Sequence, residues 1–239
     1  MTKIFSKRHS VLFFDDGKTD SLPDCYFRKG NRVLLIEIKD AYFPSSATDS
    51  FSFEKIKKAI DEKYNSPKKG IGQIIKQIKS LKQNPYEKEP PYKKVSSLKI
   101  YPIIVYTDSN FNMLGVNRYL SQQFQLQQEV DNLSSGFKKI FPLTLINLNF
   151  LIENMVVLRD GNNDFFKLVE DYHQYVAIYE KKNRKDKSSD ESMFNTFLSF
   201  YDFYQTKYRL GVKNYLSSIK ELLETLDLVK FGESNLTRR

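Results

Sequence analysis

Arg32-Val33-Leu34-Leu35-Ile36-Glu37-Ile38-Lys39 is apolar on both alternating faces until two charges interrupt it. A strand apolar on both faces belongs in the middle of a sheet covered on each side. An unpaired carboxylate and ammonium are costly there, so Glu37 and Lys39 need partners, a metal ion or a chemical task. A partner stands upstream. The turn signal Gly30-Asn31 suits a two-residue hairpin, which pairs Arg32 with Lys29 and sets Asp24 opposite Glu37. Facing side chains on paired strands have Cβ atoms ~4.5–5.5 Å apart, and like charges at that separation repel. A divalent cation turns this repulsion into a binding site.

Outward from the hairpin, residues 11–15 read as a strand and a turn leads to Pro23. Downstream, a helix is expected from Phe53 to Tyr64. Ser66-Pro67 then reads as N-cap and first turn of a second helix, reaching about Gln83 with Ile71, Ile74, Ile75, Ile78 and Leu81 as its buried stripe. Gly70 and Gly72 within that span point either to a close backbone approach or to an irregular helix start. After a polar, lysine-rich loop marked by Pro85, Pro90 and Pro91 come a strand at 98–107, a helix at 112–130 and a strand from Pro142 to Leu148. Pro102 limits the pairing of the first of these strands. The order predicts an α/β domain through residue 150, with a central mixed five-stranded sheet flanked by helices. Residues 151–239 read as an all-helical extension or subdomain, with helices near 148–158, 163–181, 190–209 and 212–229 and a polar loop at 181–189.

The 239-residue chain is 40% hydrophobic and 14% aromatic, enough for a well-buried core and against wholesale disorder. Its net charge of +9 is concentrated: residues 54–99 hold thirteen lysines against five acids. Such a stretch suits a polyanion, because each neutralised phosphate releases counterions, although a solvated lysine-rich surface has the same composition. The single cysteine, Cys25, forms no internal disulfide, no run approaches membrane-spanning length, and no signal-like segment opens the chain, so a cytoplasmic location is expected.

Acid-x-Lys recurs in Asp16-Gly17-Lys18, Asp61-Glu62-Lys63 and Glu180-Lys181-Lys182, where solvated charge explains it. Only Glu37-Ile38-Lys39 lies in a buried strand, where alternation points both charges the same way, and only that copy has an Asp set opposite by a hairpin. With Pro23-Asp24 on the second strand and Glu37-Ile38-Lys39 on the third, the chain resembles the PD-(D/E)xK nuclease superfamily, whose restriction-endonuclease-like core has this order of elements.

The resemblance implies a metal-dependent phosphodiesterase, an endonuclease on DNA with RNA as the second candidate substrate. Asp24, Glu37 and the backbone carbonyl of Ile38 would hold Mg²⁺, with Mn²⁺ as substitute, and Lys39 would orient the attacking water. Mg²⁺ takes one or two carboxylates plus water and substrate phosphate, and a nearby lysine supplies positive charge where charge develops. Some relatives add a glutamine on the helix after the third strand. Gln73, one turn before Gln77, is taken for that place, and an ordinary solvated glutamine there is the alternative. Lys68, Lys69, Lys76 and Lys79 are the expected contacts to nucleic acid. A compact endonuclease cutting both strands would work as a homodimer or within a larger assembly. Restriction of foreign DNA, repair and a defence effector all fit, and the residues do not choose among them.

One departure matters. The acidic residue that many members carry on a helix before the first strand is not found in the ten residues before Val11, which hold no Glu, so that helix is missing or lies in a lost N-terminal portion, and a second metal site is in doubt. The rival reading is a nucleic-acid-binding or scaffold module that keeps the fold, its Lys39–Asp24/Glu37 group a buried ion cluster without catalysis.

Other features are weaker. Gly17-Lys18-Thr19 lacks the first glycine of a phosphate-binding loop, and two histidines, His9 and His173, do not suit a zinc site. Phe194, Phe197, Tyr201, Tyr204 and Tyr208 fit a helix packing stripe better than a base-stacking platform. Tyr42, just past Lys39, either contacts substrate or closes the core.

Overall fold

A computed structural model describes residues 10–15, 22–49, 52–83, 86, 94–159, 164–182 and 197–208. Asp16–Lys18, Pro90, Pro91, Phe194, the loop after Lys182 and the helix expected at 212–229 fall outside them.

Strands β1 (Ser10–Phe14), β2 (Cys25–Lys29) and β3 (Arg32–Lys39) form an antiparallel meander, and β4 (Lys99–Tyr106) adds to β3 in parallel. The far edge of β4 takes two short parallel strands, β5 (Lys139–Ile140) and β6 (Thr144–Asn147). The sheet is therefore mixed and six-stranded rather than five-stranded. The extra strand is two residues long, too short to leave a period in the sequence. Pro102 explains why two strands stand where one was expected: β5 ends against Ile100 and β6 begins against Ile103, so the break spans the residue that has no N–H to donate.

The helices are α1 (Ser45–Thr48), α2 (Phe53–Tyr64), α3 (Ile71–Gln83), α4 (Val116–Val130), α5 (Leu148–Glu153), α6 (Met155–Arg159), α7 (Phe165–Lys182) and α8 (Phe200–Tyr208). Helix α3 begins at Ile71, not at Ser66-Pro67. Gly70 takes φ +55°, which breaks the right-handed run, and Ser66–Lys69 closes as a turn with Lys69 N–H donating to the Ser66 carbonyl at 3.2 Å.

Alternation along β3 explains the two cores. Val33 and Leu35 pack with Ile60, Ile74, Ile78 and Leu120 from α2, α3 and α4 on the first face. Leu34 and Ile36 pack with Tyr101, Phe150, Phe166, Tyr172 and Phe200 on the second, where α5–α8 form the cover. Cys25 belongs to this second core and is fully buried. Phe197 and Tyr204 are buried there and Tyr201 packs against them, so the aromatic series among the described residues is a packing stripe. Burying a side chain of Leu, Ile or Phe size stabilises by ~1.5–3 kcal/mol, so two dry faces fix β3 as a central strand. No helix among the described residues is long and apolar enough to cross a membrane.

Candidate active site

The β2–β3 register is the one the turn signal predicts, with Lys29 opposite Arg32 and Cys25 opposite Ile36. Continued by one residue it sets Asp24 opposite Glu37, and by two it sets Pro23 opposite Ile38. Asp24 lies just past the ladder, and its Oδ2 accepts the Ile38 N–H at 2.6 Å. The side chain thus takes the place of a ladder carbonyl. In an antiparallel pair the N–H and C=O of one residue face the same neighbour, so the Ile38 carbonyl also faces the β2 side. Pro23 has no N–H to offer it.

Glu37 points to the first sheet face, toward α3, and is 1% exposed. Its Oε2 accepts Lys39 Nζ at 2.8 Å, and its Oε1 accepts the side-chain N–H of Gln77 on α3. Gln77 Nε2 also reaches the Leu22 carbonyl at 3.4 Å, and the Gln77 carbonyl accepts Tyr86 Oη–H at 3.3 Å. Burial raises the pKa of Glu37 above the usual carboxylate range. The Lys39 hydrogen bond and charge oppose that rise, the Asp24 charge adds to it, and the Gln77 hydrogen bond opposes it.

Asp24, Glu37, Ile38 and Lys39 are therefore brought together at the C-terminal end of β3. Gln73 is not among them. Its Oε1 accepts the Gly70 N–H at 3.0 Å and so ties down the start of α3. The glutamine at Glu37 is Gln77, one turn on. Both glutamines border the Ile stripe expected from the sequence, and only the placement of α3 against β3 brings Gln77 rather than Gln73 to Glu37. Lys68, Lys69, Lys76 and Lys79 are exposed, and Lys79 is engaged by Asp131 at 2.8 Å.

A third acid shares the row. Phe14 pairs with Cys25, so Asp15 stands opposite Asp24, and its N–H donates to the Asp24 carbonyl at 3.2 Å. One carboxylate oxygen of Asp15, Oδ1, is buried without a hydrogen-bond partner. The row Asp15–Asp24–Glu37 crosses three strands, a juxtaposition that an unfixed β1–β2 register hides from sequence. It does not close into a cage: among the described residues no three His, Cys, Asp or Glu side chains group to hold a metal. The donor set is two carboxylates and a backbone carbonyl with no ladder donor opposite it, which suits an ion that keeps part of its water, as Mg²⁺ does.

The loop beyond Lys39 is pinned. Thr107 Oγ1–H donates to Asp40 at 2.7 Å, and Asp108 accepts the Phe43 N–H at 2.7 Å while the Phe43 ring packs on Phe111. Phe43 closes the core and Tyr42 does not, being 78% exposed.

No protein-family model matches the chain, and no characterised protein or solved structure matches it significantly.

Proposed function

We propose that this chain is a Mg²⁺-dependent nuclease that hydrolyses DNA phosphodiester bonds on a restriction-endonuclease-like core. The observation that carries the reading is the Glu37–Lys39 pair: a buried carboxylate with an ammonium 2.8 Å away on the same strand, at the open end of the hairpin, where Asp24 accepts the Ile38 N–H. Removing a pair of this kind in favour of apolar packing is often neutral or stabilising, so stability alone is a weak reason for its presence.

In the reaction the oxygen of water bonds to phosphorus as the ester P–O bond breaks, the water gives up a proton and the leaving oxygen gains one. When bound by Asp24, Glu37 and the Ile38 carbonyl, Mg²⁺ supplies Lewis-acid polarisation of the phosphoryl oxygen and acidifies its water. Lys39 places a fixed positive charge where the phosphorane-like charge grows. Gln77 orients Glu37 from α3. The exposed lysines of residues 68–79 supply phosphate contacts that position the strand without reading its sequence.

A second reading has its own observation. Both oxygens of Glu37 are already engaged, one by Lys39 and one by Gln77, as in a closed ion cluster on an inactive nucleic-acid-binding module. The test is cleavage of a panel of single- and double-stranded DNA and RNA with and without Mg²⁺ or Mn²⁺. A nuclease cuts only with metal and loses cutting in Asp24→Ala and Lys39→Ala while salt-sensitive binding persists. Binding without metal-dependent cutting in the parent establishes the second reading, and cutting by RNA substrates alone moves the substrate class from DNA to RNA.

A further inference from the structure

At the other end of the sheet four basic residues stand in register. Lys29 faces Arg32, Arg32 faces Lys99 and Lys99 faces Lys139. Alternation puts all four on the second face, since Phe27, Leu34, Tyr101 and Phe141, each two residues from one of them, lie in the second core. Like charges directly opposite one another across a ladder are destabilising. Arg32 is compensated, with Asp164 at 2.5 Å and its guanidinium 4.4 Å over the Phe166 ring. Lys99 and Lys139 are not: among the described residues neither has a carboxylate within ion-pairing distance, and Lys139 Nζ rests 4.0 Å over the Phe141 ring.

A cleft of about 700 Å³ opens beside these two lysines, between α4, α7 and β5. That volume lies within the ~300–1,000 Å³ of small-molecule sites. Two carboxylates line it, and each is already hydrogen-bonded: Glu170 accepts Tyr101 Oη–H at 2.5 Å and Glu129 accepts Gln125 Nε2–H at 3.0 Å. His173 in the wall is tied to Thr144 Oγ1 at 2.7 Å, and burial lowers its pKa to about 3, so it is neutral. Ile140, Pro142 and Ala177 give the cleft an apolar side, and Gln174 adds an amide. The wall thus offers two ammonium groups outside ion-pairing distance of its two carboxylates, an apolar surface and an amide donor and acceptor.

We propose that this cleft binds a nucleoside phosphate, its phosphate between Lys99 and Lys139 and its base and sugar against the apolar wall and Gln174. The site is separate from Glu37, which lies on the other sheet face and five residues further along β3, ~17 Å at 3.3 Å per residue. It stands whether or not the chain cuts DNA.

Calorimetric titration of the full chain with AMP, GMP, CMP and UMP, and with inorganic phosphate and the matching nucleosides, tests the assignment. At least one nucleotide is expected to bind at least tenfold more tightly than phosphate or its own nucleoside. Lys99→Gln and Lys139→Gln each weaken that binding by tenfold or more, with circular dichroism and melting unchanged, while Lys29→Gln and Asp24→Ala change it less than twofold. Absence of saturable binding by all four nucleotides overturns the proposal. So does binding that survives the two lysine substitutions, or that disappears with Asp24→Ala, which places the ligand at the opposite end of the sheet.

Discussion

Asp24 reaches Ile38 through its side chain, its Oδ2 accepting the backbone N–H at 2.6 Å where the ladder between β2 and β3 has ended. One carboxylate therefore serves the fold and, in the proposed reaction, the metal, and the two roles separate by substitution. Asp24→Asn keeps an acceptor for the Ile38 N–H, whereas Asp24→Ala removes it. A hydrogen bond to a charged group contributes ~1.5–3 kcal/mol and a neutral one ~0.5–1.5. Urea denaturation is expected to show Asp24→Ala about 1–2 kcal/mol below the parent and Asp24→Asn less than ~1 kcal/mol below it. Metal-dependent cleavage is lost in both. Equal stability of alanine and asparagine variants would remove the structural role assigned to this contact.

Glu37 carries the pH dependence. Its folded-state pKa is raised by burial, so the folded chain holds the Glu37 proton more tightly than the unfolded one does. The stability it contributes is complete below its unfolded pKa and is lost as pH rises through the raised folded pKa. The free energy of unfolding of the metal-free parent minus that of Glu37→Gln should therefore fall as pH rises across this window. A divalent ion needs the carboxylate ionised, so metal binding below the raised pKa releases a proton, and affinity weakens on acidification. Titrations in buffers of different ionisation enthalpy measure that proton. A pH-independent affinity and no proton release across the window would take Glu37 out of the ligand set.

Gln77 and Gln73 sit one turn apart on α3 and do different things. Gln77 donates to Glu37 in a buried setting, and Gln73 accepts from Gly70 at the helix start. Gln77→Ala leaves a buried carboxylate oxygen without its donor, a loss of ~1–3 kcal/mol, and is expected to lower cleavage tenfold or more. Gln73→Ala removes a local contact at the helix start, costs ~1 kcal/mol or less, and should leave cleavage within threefold. Parallel measurement of melting and of cleavage rate at saturating metal distinguishes them, and the reverse order of effects refutes the placement.

What the sequence made legible was local and periodic. The apolar run of β3, the Gly30-Asn31 turn and the resulting register set Asp24 beside Glu37 before any coordinates. What it hid depended on tertiary context. The start of α3 moved because Gly70 takes a left-handed conformation that no pattern of apolar residues announces, and which of two glutamines on the same stripe edge faces Glu37 was set by the packing of α3 on β3, which brings Gln77. Asp15 joined the acidic row, and Lys99 met Lys139, through pairings across strands separated by turns and crossovers of unfixed register. A long-range neighbour leaves no trace in spacing.

Gly72 gives a last test of how α3 is held. It lies in the first turn of α3, where replacing glycine by alanine in an exposed helix stabilises by ~1 kcal/mol. Here the added Cβ would be driven into the backbone carbonyls of Ser66 and Pro67, which no side-chain rotation relieves. Overpacking against fixed atoms costs ~1–3 kcal/mol against the ~1 kcal/mol gain in propensity, and contact with two backbone carbonyls belongs at the upper end, so Gly72→Ala is expected to destabilise by up to ~2 kcal/mol net. Because relief requires the first turn of α3 to shift, Gln77 should lose its hold on Glu37, and cleavage at saturating metal should fall severalfold at temperatures where the variant is fully folded. Urea denaturation and cleavage rates read both effects. A stabilised Gly72→Ala with full activity would mean that Ser66–Lys69 yields freely and that α3 is positioned by its Ile stripe alone.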